Sequence, residues 1–532
     1  MTSRTTAPGA TASTSPAGGP TTAPDAPRAS FEQLASLATG TGPALEVTAP
    51  FDGQPLGVVR QAAEGEVAAA VQRAREAQKR WAATPARTRA AVARRFAKLV
   101  LDRRDEILDV VQAETGKSRL AALEEVVDAS MTASHYAHTA PGLLRPRRHV
   151  GTFPLLTQTT ELRHPKGVVG VITPWNYPFT LVASDSIPAL LAGNAVVIKP
   201  DHQTPYSGLM VLDLLWQAGL PDGLAQVVLG PGAVVGPQLI DAVDFVMFTG
   251  STATGRVVAQ RAAGRLIGFS AELGGKNPLI VLPDANIPAA AAGAARACFA
   301  NAGQLCVGPE RIYVHEAVRS RFTEAFLDEV SRIRVAPGTS WDADMGSLIS
   351  PAHLARVQAH LDDAVGKGAR ILAGGAARPD LGPGFFAPTV LTDVPETADL
   401  VRSETFGPVV AIYPVRTEDE AIARANDSVL GLNASVWTTP SRGRALGSRI
   451  EAGTVNVNEG YAAAWASHSA PMGGWKESGL GRRHGAEGLL KYTEAQTVSV
   501  QHALPIAPWT GMSNERFANL FTRATGILNR FR

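Results

Sequence analysis

A chain of 532 residues with 45% hydrophobic and 18% charged side chains has the makeup of a globular protein of two or three domains with a sizeable core. Its 50 basic and 48 acidic side chains leave a formal charge of +2, which gives no field to gather nucleic acid, so small molecules are the expected partners. Two cysteines, Cys298 and Cys306, cannot build a disulfide framework in a chain of this size; free thiols and a reducing compartment, the cytoplasm, are expected.

In chain order, residues 1–30 are mainly Thr, Ala, Pro, Gly and Ser with no apolar run, so they read as a disordered tail and not as a signal peptide. From Glu64 to Arg119, Ala70, Val71, Ala74, Ala77 and Trp81, then Val92, Phe96, Leu99 and Val100, recur at the spacing of two amphipathic helices. Thr160 to Val171 alternates and then turns continuously apolar, an extended arm running into a buried parallel strand. The apolar stretch Phe179 to Ile198 is broken by Asp185, Pro188 and Gly193, which suits helix, turn and strand and excludes a membrane span. Short apolar runs at Ala195–Lys199, Ala225–Leu229, Phe245–Phe248 and Pro278–Leu282 alternate with helical segments, which predicts a doubly wound parallel sheet. A second alternation after Cys306 (Arg311–Val314, Arg370–Leu372, Pro408–Ile412, Ala434–Trp437, Thr454–Val457) predicts a second α/β domain. Thr497–Gln501 reads as a lone edge strand in need of a partner, such as another subunit.

Ligands of doubly wound sheets bind beyond the carboxyl ends of the strands, so the residues after each run carry the chemistry. Cys306 sits in Asn301-Ala-Gly-Gln-Leu-Cys-Val-Gly-Pro309, where two glycines and a proline favour a tight turn that presents a thiol; a small buried hydrophobe is the alternative. Glu272 lies among small and apolar residues, and burial would raise its pKa toward general-base work, although a capping or ion-paired carboxylate fits as well. Asn176, on a turn between Pro174 and Pro178, offers a fixed carboxamide to an oxyanion. Gly250–Gly255 follows a strand and opens a helix whose amides can receive a pyrophosphate, yet its spacing is neither the dinucleotide fingerprint nor a P-loop. Lys199 closes its strand where it can hold a ribose or phosphate, or simply meet solvent.

Seven ordered stretches, Pro174-Trp-Asn-Tyr-Pro178, Lys199-Pro200, Phe248–Ser251, Glu272–Pro278, Gly303-Gln-Leu-Cys306, Glu404–Pro408 and Pro471–Gly474, together resemble the NAD(P)-dependent aldehyde dehydrogenase superfamily, from about Val47 to Val500. Arg265–Lys276, Ser467–Gly474 and Gly481–Thr493 look most like the actinobacterial succinate-semialdehyde dehydrogenases. The resemblance implies two doubly wound α/β domains plus a small β oligomerisation arm, an NADP or NAD cofactor, no metal, and a homodimer or homotetramer. It divides the chain into a dinucleotide-binding domain over 31–288 with the arm near 148–166, a catalytic domain over 289–485, an oligomerisation segment over 486–505 and a tail over 506–532. It makes Cys306 the nucleophile, Glu272 the base and Asn176 the oxyanion donor in the oxidation of succinate semialdehyde to succinate. It assigns the dinucleotide to Thr173, Pro174, Trp175, Lys199, His202, Gly250, Ser251, Leu273, Glu404 and Phe406. His202 stands where many NAD-preferring relatives carry a glutamate, so a 2′-phosphate is not repelled.

Two arginines that hold the substrate carboxylate in mammalian-type members correspond to Ser184 and Ala300, neither of which can pair with a carboxylate. Ser467, His468 or Ser469 is left to hold it, or else Tyr461 and Trp465 line a pocket for an apolar or aromatic aldehyde, unless they merely pack their loop. Gly308 removes the second cysteine of some relatives, so no local disulfide is expected. A cofactor-free thiol esterase or a non-catalytic binding protein are the competing functions; the first leaves the dinucleotide motifs unexplained and the second the presence of Cys306 and Glu272. Between Arg516 and Phe531 an apolar stripe with Arg516, Arg523 and Arg530 at seven-residue spacing reads as a basic amphipathic helix, expected to dock on the protein itself or a neighbouring subunit or to touch an anionic membrane surface weakly.

Overall fold

The computed structural model describes residues 28–151, 156–503 and 505–530. Most of the tail expected over 1–30 lies outside them, but its last three residues open a helix, Arg28–Ala35, that buries Phe31 and Leu34 against the core. The helical periodicity over 64–119 becomes the helices Glu66–Ala83, Ala86–Asp102 and Arg104–Thr115, followed by the long helix Arg119–Leu143. Their buried faces carry the residues that set the period, Trp81 and Phe96 among them.

Val168–Ile172, fully buried, is the centre of a six-stranded sheet in the order Gly479–Leu480, Gly268–Glu272, Phe245–Thr249, Val168–Ile172, Ala195–Lys199, Ala225–Val227. All neighbours are parallel except Gly479–Leu480, which runs antiparallel to Gly268–Glu272. The chain winds outward on one side of Val168–Ile172 and then crosses to the other, so a crevice opens at the carboxyl ends of Val168–Ile172 and Phe245–Thr249. Asn176 and Ser251 follow those two ends.

A seven-stranded sheet has the order Arg370–Ala373, Thr389–Thr392, Val409–Val415, Pro309–His315, Asn277–Val281, Asn433–Trp437, Thr454–Val457, antiparallel only at its first pair. This corrects the expected boundary. Asn277–Val281, placed by its apolar run in the first sheet, pairs instead with Pro309–His315 and Asn433–Trp437. The domains therefore meet at residues 273–276 and not at 288, and Gly479–Leu480 returns from the second region to the first sheet. Periodicity shows that a strand exists but not which sheet it enters.

The arm is a three-stranded sheet of Arg147–Val150, Thr157–Pro165 and Thr493–Gln501. The expected lone strand is thus paired within its own chain, Val498 opposite Thr160, with one edge open. The tail forms the helix Asn514–Leu528, capped by Ser513, with no buried residue; Leu520 and Ile527 are 50% and 59% exposed, so these two positions of the stripe are not covered by their own chain. Phe531 lies outside the described residues. Among the described residues, no helix is long and apolar enough to cross a membrane.

Candidate active site

The helix Ile287–Phe299 stops short of the thiol because Asn301, Ala302 and Gly303 all take positive φ, reversing the chain in one turn. A side chain at position 303 would collide with the backbone at Gly407, so glycine is required there. The turn is tied on every side. Asn301 Nδ2 donates to the carbonyls of Asn176 and Gln304 (3.0 and 3.1 Å), and Gln304 Oε1 accepts from Ile349 N (2.9 Å). Asn277 Nδ2 donates to the Cys306 carbonyl (2.7 Å). Cys306 is half-buried and free, as is the buried Cys298. Burial, then Glu404 and Glu272, push the Cys306 thiol up to about 12 against the pull of Arg483, so the resting group is S–H.

Asn176 Nδ2 donates to Gln304 O (3.1 Å), which sets the carboxamide beside the cysteine turn and leaves its second N–H uncommitted. Its own carbonyl accepts from Lys117 Nζ (2.6 Å), and Lys117 is ion-paired to Glu125 (2.5 Å) with both side chains fully buried. Glu125 also accepts from the amides of Phe179 and Thr180, anchoring the start of helix Pro178–Leu191.

Glu272 ends its strand buried, with neither carboxylate oxygen hydrogen-bonded. Burial raises it to about 7, opposed first by Arg483, so a group that is ordinarily a weak base becomes a competent one near neutrality. Arg483 is itself held by Asp185 (2.9 and 2.6 Å) and donates to Thr249 Oγ1 (2.6 Å). A Cβ at position 473 would lie 2.8 Å from Glu272 Oε1, so the glycine of the Pro471–Gly474 stretch leaves space for the carboxylate.

Across the cleft, Gly275 N donates to Glu404 Oε1 (2.9 Å), and burial pushes the Glu404 carboxyl up to about 8. Phe406, at φ 57°, meets the Trp175 ring edge-on at 5.5 Å, and His353 Nε2 bonds the Phe406 carbonyl at 2.7 Å. The loop is fixed by Glu310, which accepts from the amides of Thr405 and Phe406 and is ion-paired to the buried Lys276. At the crevice, Ser251 caps the helix Thr252–Gly264, Lys199 is buried with its ammonium donating to Pro200 O (3.0 Å), and Thr173 Oγ1 is buried without a partner. Leu273 packs where a side chain at position 255 would stand, bringing helix and strand close. His202 is paired to Asp201 (3.2 Å), which raises its pKa. An anion-receiving helix start, a cation, an orphaned hydroxyl and a carboxylate with one oxygen uncommitted together fit a dinucleotide.

On the other side of the thiol, Cys306 packs against an apolar cluster that includes Tyr177, Tyr461, Leu305 and Met472, with Leu181 and Trp465 at its margin. Tyr177 and Trp465 rings lie 6.2 Å apart, and the hydroxyls of Tyr177 and Tyr461 both donate to Glu124 (3.1 and 2.7 Å). The expectation that Ser467 or His468 holds a carboxylate meets a different arrangement. His468 is buried with Nε2 on Asp128 (2.9 Å), whose other oxygen takes the hydroxyls of Thr180 and Ser184, while Ser467 is exposed and donates to Ala463 O (2.7 Å). His468, Asp128 and Ser184 thus satisfy one another.

A family model described as the aldehyde dehydrogenase family matches residues 38–498. The chain belongs to that family. It is 54% identical over 473 residues to a Mycolicibacterium smegmatis protein named "Putative succinate-semialdehyde dehydrogenase (NADP+)", covering 89% of this chain and 92% of that one. It is 35% identical over 475 residues to the succinate-semialdehyde dehydrogenase (NADP+) GabD of Escherichia coli, covering 87% and 96%. Among solved structures, a betaine aldehyde dehydrogenase from Staphylococcus aureus in complex with NAD+ superposes with a TM-score of 0.85 at 29% identity, covering 92% of this chain and 100% of that one.

In this aldehyde dehydrogenase the structure brings Cys306, Glu272 and Asn176 to one cleft, with Trp175, Glu404 and Phe406 along its opposite wall and Tyr461 and Trp465 beyond the thiol. It leaves Ser467 outside. Sequence reasoning missed Lys117, Glu124, Asp185, Lys276, Glu310 and Arg483. Lys276 and Arg483 lay inside quoted stretches and gave a signal, the first as a charge after two glycines and the second as a charge between glycines; Lys117 and Glu125, eight residues apart across a helix start, gave none.

Proposed function

We propose that the chain oxidises an aldehyde to a carboxylate at Cys306 with NADP or NAD, succinate semialdehyde being the substrate named for its relatives. The observation that supports this reading is a half-buried thiol within electrostatic reach of a buried carboxylate, Glu272, whose two oxygens have no hydrogen-bond partner. Cys306 Sγ attacks the carbonyl carbon while its proton passes to Glu272. The oxyanion is received by the uncommitted N–H of Asn176 Nδ2 and by the Cys306 amide; one such donor is worth about 3 kcal/mol. The chemistry that a bound dinucleotide would supply is acceptance of the hydride from that carbon. Lys199, His202, Gly250, Ser251 and Leu273 would hold its adenosine and pyrophosphate end, and Thr173, Pro174, Trp175, Glu404 and Phe406 its nicotinamide end. Glu272 gives that proton up to solvent and takes one from water, the hydroxide attacks the thioester carbon, the C–S bond breaks, and the acid leaves as the Cys306 sulfur takes the proton back from Glu272.

A second reading, an apolar or aromatic aldehyde, is favoured by charge. Around the site, Lys117, His468 and Arg483 are each paired to a carboxylate, and Glu124 adds another acid between two tyrosines. Initial rates with succinate semialdehyde, an aliphatic and an aromatic aldehyde, each with NAD and NADP, decide between the two: the highest kcat/KM for succinate semialdehyde supports the first. The chain acts in the cytoplasm as a homodimer or homotetramer assembled through the open edge of Thr493–Gln501, which sedimentation of the purified chain tests.

A further inference from the structure

We propose that Lys491 is a positioning residue for Glu272: its ammonium, held behind the strand that carries the glutamate, keeps that carboxylate ionised and ready to accept a proton from water. The inference rests on the aldehyde-oxidising reading above. Ser270 and Glu272 are two apart on Gly268–Glu272 and so share a face of the strand. Lys491, just beyond the helix Gly485–Leu490, donates from Nζ to Ser270 Oγ (3.3 Å) and touches Met247 Sδ (3.2 Å) on the adjacent strand. Neither partner neutralises it, and Lys491 forms no ion pair with any described carboxylate.

Every other charge facing Glu272 is accounted for. Asp185, from helix Pro178–Leu191, and Arg483, from the loop before Gly485–Leu490, are bound to each other in a bidentate pair, in which Arg483 still leaves a net pull on Glu272. Arg482 also has no carboxylate partner among the described residues, but it turns to the carbonyls of Gly474 and Gly481 and pulls on Glu272 less than Lys491 does. The Cys306 thiol, on the far side, is protonated at rest. Lys491 is therefore the cation without a carboxylate partner that acts most strongly on Glu272. Burial drives both toward neutrality, Glu272 up to about 7 and Lys491 down to about 8, while their attraction opposes it. A merely structural lysine, anchored on Met247 and lying 5.0 Å from the Tyr492 ring, would alter stability without altering the titration of the base.

The test is the pH dependence of steady-state turnover in full-length wild type, Lys491→Met and Lys491→Arg, with the NAD(P)H burst read in the same assays. With Lys491→Met the acid limb of kcat moves upward by about one unit, turnover on that limb falls about tenfold, the alkaline plateau is kept and the burst amplitude is unchanged. Lys491→Arg restores the wild-type limb. An unmoved limb in a Lys491→Met protein that melts like wild type, or an equal loss at every pH, overturns the proposal. Should Lys491→Met not fold, Lys491→Gln is read by the same criteria. A wild type that forms no NAD(P)H with any aldehyde overturns the functional reading and this inference together, an outcome distinct from an unmoved limb.

Discussion

The walls of the cleft and the groups inside it follow opposite rules. Lys117 with Glu125, Lys276 with Glu310, and Asp185 with Arg483 are buried ion pairs whose remaining donors and acceptors are largely used on backbone amides, carbonyls or a hydroxyl. Cys306 and Glu272, set between them, have been given burial without compensation. Paired charges cost little once satisfied and hold loops still; unpaired ones cost free energy, and that free energy is their reactivity. The difference separates scaffold from chemistry within one crevice.

Removing the two uncompensated groups is the hardest test of that contrast. Cys306→Ala is expected to abolish aldehyde-dependent NAD(P)H formation, a loss of roughly a thousandfold or more, with the melting temperature kept; normal turnover in this variant sinks the assignment. Glu272→Gln, with water left to take the thiol proton, should form one NAD(P)H per site more slowly than wild type and then stall, with the steady state down about a hundredfold or more. In the wild type, Glu272 is the active base only when ionised, so a turnover limited by hydrolysis should rise with pH through about 7 and level off above it; a flat profile over that range argues for a different base. Asn176→Ala, which keeps thiol and base but removes the oxyanion donor, should lower kcat/KM by about a hundredfold, checked by steady-state kinetics.

The scaffold half of the comparison is broken from the other side. Lys276→Met leaves Glu310 as an unpaired buried charge beneath the Glu404–Phe406 loop, so it should cost about 3–5 kcal/mol of stability in urea unfolding while Cys306 alkylation at saturating reagent stays complete. An unchanged midpoint would mean that the pair carries no structural role. The smallest effect is expected at the exposed helix Asn514–Leu528: a chain truncated before Trp509 should keep full activity, and the full chain should co-sediment weakly with anionic vesicles. Equal recovery of both in the supernatant removes the membrane surface as a partner.

How much of this was legible depended on the range over which each feature is encoded. The cysteine turn, the strand ends and the amphipathic helices are written in adjacent residues, and the structure places them as their local pattern implies. The thiol, the base and the oxyanion donor were found because each sits at a strand end or a tight turn. What stayed hidden was pairing over distance. Arg483 meets Asp185 from 298 positions away, and Val498 meets Thr160 across most of the chain. Asn277–Val281 looks like its predecessors in sequence and yet joins the other sheet, because a strand's period reports its burial and not its neighbour. Glu124 was unreadable for the same reason, since its meaning comes from Tyr461, brought to it from 337 positions away.

The antiparallel return of Gly479–Leu480 onto Gly268–Glu272 sets an order of assembly. The strand that bears Glu272 gains its outer neighbour, its arginine and its lysine only from residues beyond 478, and the arm gains its last strand only from 493 onward. A chain emerging from the ribosome therefore carries its nucleophile for more than a hundred and fifty residues of synthesis before the base beside it is enclosed. The thiol is made early and switched on late, so the growing chain is spared its own chemistry until it is whole.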